Sequence, residues 1–171
     1  MTDSASPLCL GLDPGLGTLG YGLVRQEGDR LRAEEYGVVR TPPGEPLPDR
    51  LRMLYEELRR RTGAWRPSVV AVERLYFGKN VTTAEMVWQA RGVVLLFAAQ
   101  LGVPLFEPKP SEVKLAICGN GGAEKRQVQG MVQCLLGLSE LPRPDDAADA
   151  LAVAVAGLAL ASLERKEVLF P

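Results

Sequence analysis

The chain contains no histidine among its 171 residues. This absence excludes Ser-His and Cys-His nucleophilic pairs, an imidazole general base and a zinc site with histidine ligands. Cysteine is also scarce: Cys9, Cys118 and Cys134 are an odd number without CxxC spacing. Such cysteines are expected to be inert core thiols. The chemistry of any active site must therefore come from other residue types.

Signal-like and strongly charged segments are missing as well. The N-terminal MTDSASP lacks a basic-then-apolar signal pattern, and we expect no stretch that could span a bilayer, so the predicted location is cytoplasmic. The net charge of −1 and the pI near 5.6 argue against a nucleic-acid partner, because domains that bind nucleic acid are usually basic. Only a locally basic face would reconcile this composition with such a partner.

The composition and the apolar pattern indicate one α/β domain over residues 1–171. Hydrophobic residues make up 46% and charged residues 24%, which is typical of a globular chain with a substantial core. Alternating, continuous and helical spacings of apolar residues are distributed along the chain. They predict strands at 8–13, 21–24, 31–40, 69–72 and 103–106, and helices at 47–62, 82–101, 110–117, 123–136 and 145–164. We expect a mixed sheet with helices on both faces.

Four acidic residues lie beside apolar segments. Asp13 and Glu73 each end a short apolar run, and Asp146 and Asp149 open an alanine-rich stretch. Two such charges about 4 Å apart repel by roughly 4 kcal/mol at an effective dielectric constant of 20. A cluster of them needs cations, and oxygen ligands without histidine favour Mg²⁺ or Mn²⁺. The alternative for Asp146 and Asp149 is helix capping and first-turn stabilisation, although Asp145 already offers a cap.

The segment from Gly15 to Gly20 matches the pattern G-x-G-x-x-G. A dinucleotide site would require a helix after these glycines, with its N-terminus at the pyrophosphate. Tyr21 to Val24 instead has a strand pattern. The glycines are therefore expected to let the backbone bend and approach something beside Asp13.

Aromatic and basic residues offer candidate contacts to nucleic acid. Tyr76 and Phe77 adjoin Lys79 and Asn80, a grouping suited to stacking on an unpaired base. The alternative is a loop aromatic that closes the core. A candidate basic face for phosphates comprises Lys109, Lys114, Lys125 and Arg126, with Arg91 and Arg143 as further members. The alternative there is a set of ordinary solvated side chains.

Several ordered motifs together resemble the RuvC family of Holliday-junction resolvases, within the ribonuclease-H-like superfamily. They cover nearly the whole chain. The motifs are Leu10-Gly11-Leu12-Asp13-Pro14-Gly15, Gly20-Tyr21-Gly22, Val72-Glu73-Arg74-Leu75-Tyr76-Phe77 with Lys79-Asn80, Gln89-Ala90-Arg91-Gly92, Val113-Lys114, Ala123-Glu124-Lys125 with Gln127-Val128, and Asp146-Ala147-Ala148-Asp149-Ala150-Leu151-Ala152.

The resemblance implies a five-stranded mixed sheet flanked by helices. It also implies a homodimer that nicks two opposing strands of a four-way DNA junction in recombination and repair, with possible docking of the RuvA/RuvB branch-migration motor. By motif, the family's metal-binding and catalytic acids correspond to Asp13, Glu73, Asp146 and Asp149. Some relatives have histidine in place of Asp146.

The same resemblance assigns DNA contacts. Lys114 and Lys125 fall on basic positions of the family, and Arg126 adjoins them. Tyr76 falls where the family commonly has a phenylalanine that stacks at the junction centre, and Phe77 is an alternative for that role. Two metal ions per subunit, about 3.5–4 Å apart, could flank the scissile phosphate. The helix that contains Met86 to Phe97 is apolar nearly all round, so it is the candidate dimer interface.

Three other interpretations remain open at this stage. A small ATP-binding protein of the actin or sugar-kinase type would share the sheet but needs two such domains. A different nuclease of the same fold would keep the acids and lose the other motifs. A non-catalytic DNA-binding dimer would not need all four acids.

Overall fold

The structure is a computed structural model that describes residues 6–75 and 81–169, with side chains at 6–75 and 85–165. The elements are β1 Leu8–Asp13, β2 Thr18–Glu27, β3 Arg30–Arg40, α1 Leu47–Thr62, β4 Val69–Val72, α2 Val81–Gln100, β5 Leu105–Phe106, α3 Pro110–Cys118, α4 Lys125–Leu135 and α5 Asp145–Leu169. The strands form one sheet in the order β3-β2-β1-β4-β5. The first three strands are antiparallel, and β4 and β5 run parallel to β1.

Side chains of the central strands alternate between two apolar layers, because successive residues of a strand point to opposite faces. On β1, Leu8, Leu10 and Leu12 pack with the layer that contains α1 and α2. Cys9 packs with the layer that contains α3, α4 and α5. The predicted mixed sheet with helices on both faces is confirmed.

Helix α5 lies against the centre of the sheet because both surfaces carry small residues. A Cβ on Gly11 of β1 would lie 2.2 Å from the carbonyl oxygen of Ala150, and a Cβ on Gly20 of β2 would lie 2.0 Å from that of Asp146. On the helix itself, a Cβ on Gly157 would lie 2.6 Å from the Cβ of Ala71. These glycines therefore permit a helix-to-sheet approach that any other residue would prevent.

Three expectations about local structure were wrong. They concerned a backbone bend at Gly20, the absence of a segment that could span a bilayer, and the burial of all three cysteines in the core. Strand β2 begins at Thr18, so Gly20 lies inside the ladder opposite Asp13 and not in a turn. The segment Asp145–Arg165 has a mean hydropathy of 1.7 and could cross a membrane by length and composition, but 67% of its apolar window is buried inside the domain. Its apolar character is that of a core helix. Cys9 is buried as expected, whereas Cys134 is exposed.

Candidate functional site

Asp13 and Glu73 lie side by side at one edge of the sheet. Strands β1 and β4 are parallel, with Leu12 in register with Val72. The backbone N–H of Glu73 donates to the carbonyl oxygen of Leu12 over 3.1 Å, so the ladder continues past the end of β4. Both acids therefore leave the sheet at the carboxyl ends of neighbouring strands.

Strand alternation places Asp13 on the face covered by α5. Cys9 belongs to that layer, the α-carbon of Gly11 faces Ala150, and Asp13 is the next residue in the same phase. Its partner across the ladder is Gly20, which lies against the backbone of Asp146. The first turn of α5 thus begins beside the end of β1.

The charges of the other three acids all act on Asp13. Burial is the main cause that raises the pKa of Asp13 to about 7, and the charges of Glu73, Asp149 and Asp146 raise it further, while Lys125 opposes them. Burial and the charge of Asp149 also raise the pKa of Glu73. A carboxyl group that ionises near neutral pH in this way favours an added cation, because a cation would relieve both the desolvation and the repulsion.

Two lysines line the cleft beside these acids. A cavity of about 280 Å³ has Glu73, Lys114, Lys125 and Asp149 in its walls. The Nζ of Lys125 lies 3.2 Å from Oδ2 of Asp149 and 3.3 Å from Oδ2 of Asp145. Burial opposes protonation of Lys125, but its contacts with Asp149 and Asp145 raise its pKa. The cleft therefore combines carboxylates with ammonium groups that could hold a phosphate.

The start of α4 fixes the position of Lys125. Glu124 precedes the helix, and its backbone N–H donates to Oε1 of Gln127 over 2.8 Å. This contact is half of a capping box, which holds the first helical turn in place. Lys125 is the first residue of that turn, so its side chain starts from a defined point beside α5.

The chemistry of these residues fits a divalent ion. Carboxylate oxygens without histidine or thiolate suit a hard cation such as Mg²⁺ or Mn²⁺. Within residues 6–75 and 81–169, no group of three or more acidic or cysteine side chains is arranged to hold a metal ion. In this arrangement Lys125 supplies the positive charge at Asp149.

The other predicted contact residues are distributed differently. Tyr76, Phe77, Lys79 and Asn80 lie outside the described residues. Arg126 is exposed on α4, immediately after Lys125. Asp145 has a contact that the sequence did not indicate. It was interpreted there as a helix cap, whereas its side chain pairs with Lys125 across the gap between two helices.

Arg91 does not belong to a basic face. Arg91 as a whole residue is 6% exposed, and its guanidinium pairs with Glu107 and lies 5.9 Å from the ring centre of Trp88. The expectation that it contacts phosphate was wrong, because α2 turns this side chain towards Glu107 and away from solvent. A buried arginine paired in this way has a structural role.

Comparison with known proteins identifies the family. The family model for crossover junction endodeoxyribonuclease RuvC matches residues 9–157. The enzyme of that name from Chloroflexus aggregans is 54% identical over 146 residues, which cover 85% of this chain and 89% of the relative. The chain belongs to the RuvC family. Enzymes of this family are metal-dependent endodeoxyribonucleases, so the chain is a nuclease.

Solved RuvC structures have the same fold. Thermus thermophilus RuvC superposes with a TM-score of 0.84 at 38% identity, and the match covers 92% of this chain and 96% of that one. The structure of T. thermophilus RuvC in complex with Holliday junction substrate gives a TM-score of 0.82 at 36% identity over 91% and 96% of the two chains. The ribonuclease-H-like fold expected from the motifs is confirmed.

Proposed function

We propose that this RuvC-family chain resolves four-way DNA junctions, in recombination and repair, at a centre formed by Asp13, Glu73, Asp146 and Asp149. The observation that carries the proposal is the meeting of two parallel strand ends with the first turn of α5 on one face of the sheet. Burial and the charges of the other three acids raise the pKa of Asp13, so a cation would complement the cluster.

The four acids would hold Mg²⁺ or Mn²⁺, with two ions per subunit. When bound, such ions activate water, neutralise the phosphate and stabilise the leaving oxygen. Lys114 and Lys125 line the same cleft as Glu73 and Asp149, so their ammonium groups can contact the backbone phosphates that flank the cut. Arg126 would extend this basic edge along α4.

Recognition of the junction centre would depend on the segment that follows Glu73. By family resemblance, Tyr76 or Phe77 would stack on an unpaired base, and Lys79 and Asn80 would contact nearby backbone. Because phosphate contacts dominate, we expect binding to be selective for junction shape and to weaken steeply with salt.

Two symmetric cuts require two equivalent centres, which a twofold homodimer supplies. Helix α2 presents apolar side chains to solvent in the single chain. The exposed fractions of Met86, Trp88 and Leu96 are 38%, 37% and 56%. Since one side of the helix already packs on the sheet through Val94 and Phe97, this second apolar side is the proposed interface. The dimer would act in the cytoplasm, with RuvA/RuvB as a proposed partner motor.

The decisive experiment compares Asp13→Asn with wild type on an end-labelled synthetic four-way junction, with Mg²⁺, Mn²⁺ or chelator. Wild type should give paired, metal-dependent nicks on opposing strands and leave linear duplex intact. Asp13→Asn should bind the junction with unchanged affinity and cut it at least about 10³-fold more slowly, the scale of losing an essential catalytic group. Asp29→Asn, at the exposed turn between β2 and β3, is the matched control. Wild-type cutting rates for Asp13→Asn would refute the proposed centre.

The dimer is tested by sedimentation of Leu96→Glu at micromolar concentration. This variant should be monomeric, because a charge would be buried in an apolar interface. Leu115→Glu is a matched control, since Leu115 on α3 has the same exposed fraction of 56%. A monomeric wild type would contradict the proposed dimer. A dimeric Leu96→Glu would show that the interface lies elsewhere.

A further inference from the structure

A second cavity lies at the end of the sheet opposite the acids. Pro67 precedes β4 and lines this cavity, whereas Glu73 follows β4 and lines the catalytic cleft. The cavity has a volume of about 280 Å³. We call it the arginine–tryptophan cavity. The residues that line it include Arg59, Trp65, Arg66, Pro67, Phe97 and Leu101.

The walls of the arginine–tryptophan cavity are held in place by side-chain hydrogen bonds. The indole Nε1 of Trp65 donates to Oε2 of Glu35 over 2.7 Å, and Oε1 of Glu35 accepts a bond from the Tyr21 hydroxyl over 3.2 Å. The hydroxyl of Tyr55 donates to Oε1 of Gln100 over 2.6 Å, which joins α1 to α2. The cavity is therefore formed before any ligand arrives, which reduces the entropy cost of binding.

The arginines near the cavity differ in whether they form an ion pair. Arg60 and Arg61 both pair with Glu57, at 2.7 and 3.5 Å. Arg59 and Arg66, which line the cavity, have no acidic side chain within ion-pair distance among the residues that the structure describes.

The positions of these two side chains are nevertheless set by other contacts. Arg59 stacks 5.8 Å from the ring centre of Tyr55. One nitrogen of Arg66 donates to the carbonyl oxygens of Gly63 and Trp65 over 2.9 and 3.0 Å. Their remaining N–H groups are available to an anionic ligand. Arginine is suited to carboxylates in particular, because its planar fork can donate two parallel hydrogen bonds.

We propose that the arginine–tryptophan cavity binds a short segment of a protein partner in which a large apolar side chain stands next to a carboxylate. Trp65, Pro67, Phe97 and Leu101 would surround the apolar side chain, and the two arginines would bind the carboxylate. Ordinary ligand pockets occupy about 300–1,000 Å³, so this volume suits one anchoring side chain. An apolar anchor within a polar rim is typical of protein partners, whereas surfaces for DNA are polar and strongly basic.

The test uses a fluorescein-labelled peptide, Asp-Asp-Leu-Phe with a free carboxyl terminus, and measures its anisotropy against the full-length protein. Wild type should give saturable binding, and the amidated peptide should bind more weakly. Arg59→Ala and Arg66→Ala should each weaken binding about tenfold, the scale of a charged hydrogen bond. Arg52→Ala is the matched control, because Arg52 is exposed on α1 and already paired with Glu56. Junction cleavage should be unchanged in all three variants.

Two outcomes would overturn this proposal. One is the absence of saturable binding by wild type at peptide concentrations up to about 1 mM, the weak limit of specific recognition. The other is binding of a 20-nucleotide duplex or single strand that Arg59→Ala and Arg66→Ala weaken while peptide affinity stays unchanged, which would make the cavity a phosphate or base site. Circular dichroism melts of each variant establish that the fold is intact. The result is independent of the four acids, so it neither supports nor weakens the proposed nuclease centre.

Discussion

Lys125 and Asp149 form an ion pair inside the proposed catalytic cleft, with Nζ and Oδ2 separated by 3.2 Å. Asp145 contacts the same ammonium group at 3.3 Å. Lys125 therefore supplies to Asp149 a positive charge that a divalent ion would also supply. When an ion binds Asp149, the contact with Asp145 can retain the lysine beside the cleft, where a phosphate can meet it.

Removal of this lysine should strengthen metal binding. Lys125→Met deletes a charge that competes with the ion for Asp149, so we expect Mn²⁺ affinity to rise roughly two- to fivefold, the scale of a partly exposed ion pair. Mn²⁺ titration by electron paramagnetic resonance measures this directly. Arg126→Met, which deletes an adjacent exposed charge, is the control. If Mn²⁺ affinity rose equally in both variants, the effect would come from long-range charge and not from the contact of Lys125 with Asp149. Junction affinity should fall in Lys125→Met, because a phosphate contact is lost.

Stability without metal should fall as the pH rises. The pKa of Asp13 is raised in the folded protein to about 7 from an ordinary value of 3.8. Between these values the folded state binds more protons than the unfolded state, so the free energy of unfolding decreases with increasing pH. Asp13→Asn should reduce this slope, part of which stays because Glu73 and Asp149 also have raised pKa values, and it should stabilise the metal-free protein at pH 8 by roughly 1–3 kcal/mol. Melting temperatures in chelator between pH 5 and 8 test this, and a wild-type profile that is flat or rises would contradict it.

The contact between Gly20 and Asp146 should be intolerant of any side chain. Gly20→Ala would place a Cβ 2.0 Å from the carbonyl oxygen of Asp146. Helix α5 would then have to move, or the backbone of β2 and α5 would be strained. Overpacking of this kind costs about 1–3 kcal/mol, and it would displace the first turn of α5, where two of the proposed catalytic acids lie. Urea unfolding and junction cleavage should both be impaired.

Gly130→Ala is the matched control for this substitution. Gly130 lies inside α4, and a Cβ there meets nothing within 4 Å. It should stabilise the protein by about 0.5–1 kcal/mol, because alanine has the higher helix propensity. If Gly20→Ala were as stable and as active as wild type, the close approach of α5 would not matter for the site.

The buried pair of Arg91 and Glu107 makes a separate stability prediction. Glu107→Gln leaves the buried Arg91, whose side chain is only 7% exposed, without its counter-charge. We expect a loss of roughly 2–4 kcal/mol in the free energy of unfolding, at the lower part of the range for a broken buried pair because Glu107 is itself partly exposed. Glu56→Gln, which breaks the exposed pair with Arg52, should cost less than about 1 kcal/mol. Urea denaturation of the two variants gives the comparison.

The sequence alone was sufficient for the layered fold and for the choice of acids. The apolar runs of β1 and β4 are local patterns, and they predict buried strands wherever the partners lie. Asp13, Glu73, Asp146 and Asp149 each stand within one of the short motifs that resemble the RuvC family. Their roles in catalysis stay a prediction until Asp13→Asn is measured.

Only the tertiary structure decided how neighbouring helices place individual charges. The sequence could not show that Lys125 on α4 meets both Asp145 and Asp149 on α5, or that Arg91 turns inward to Glu107, because such contacts depend on the distance and rotation between packed elements. It also could not show that Gly20 lies against the backbone of Asp146. That contact depends on the register of β1 with β2 and on how closely α5 approaches the sheet. Local pattern thus determined which segments are strands and helices, and packing determined which of their charges compete, pair or remain available.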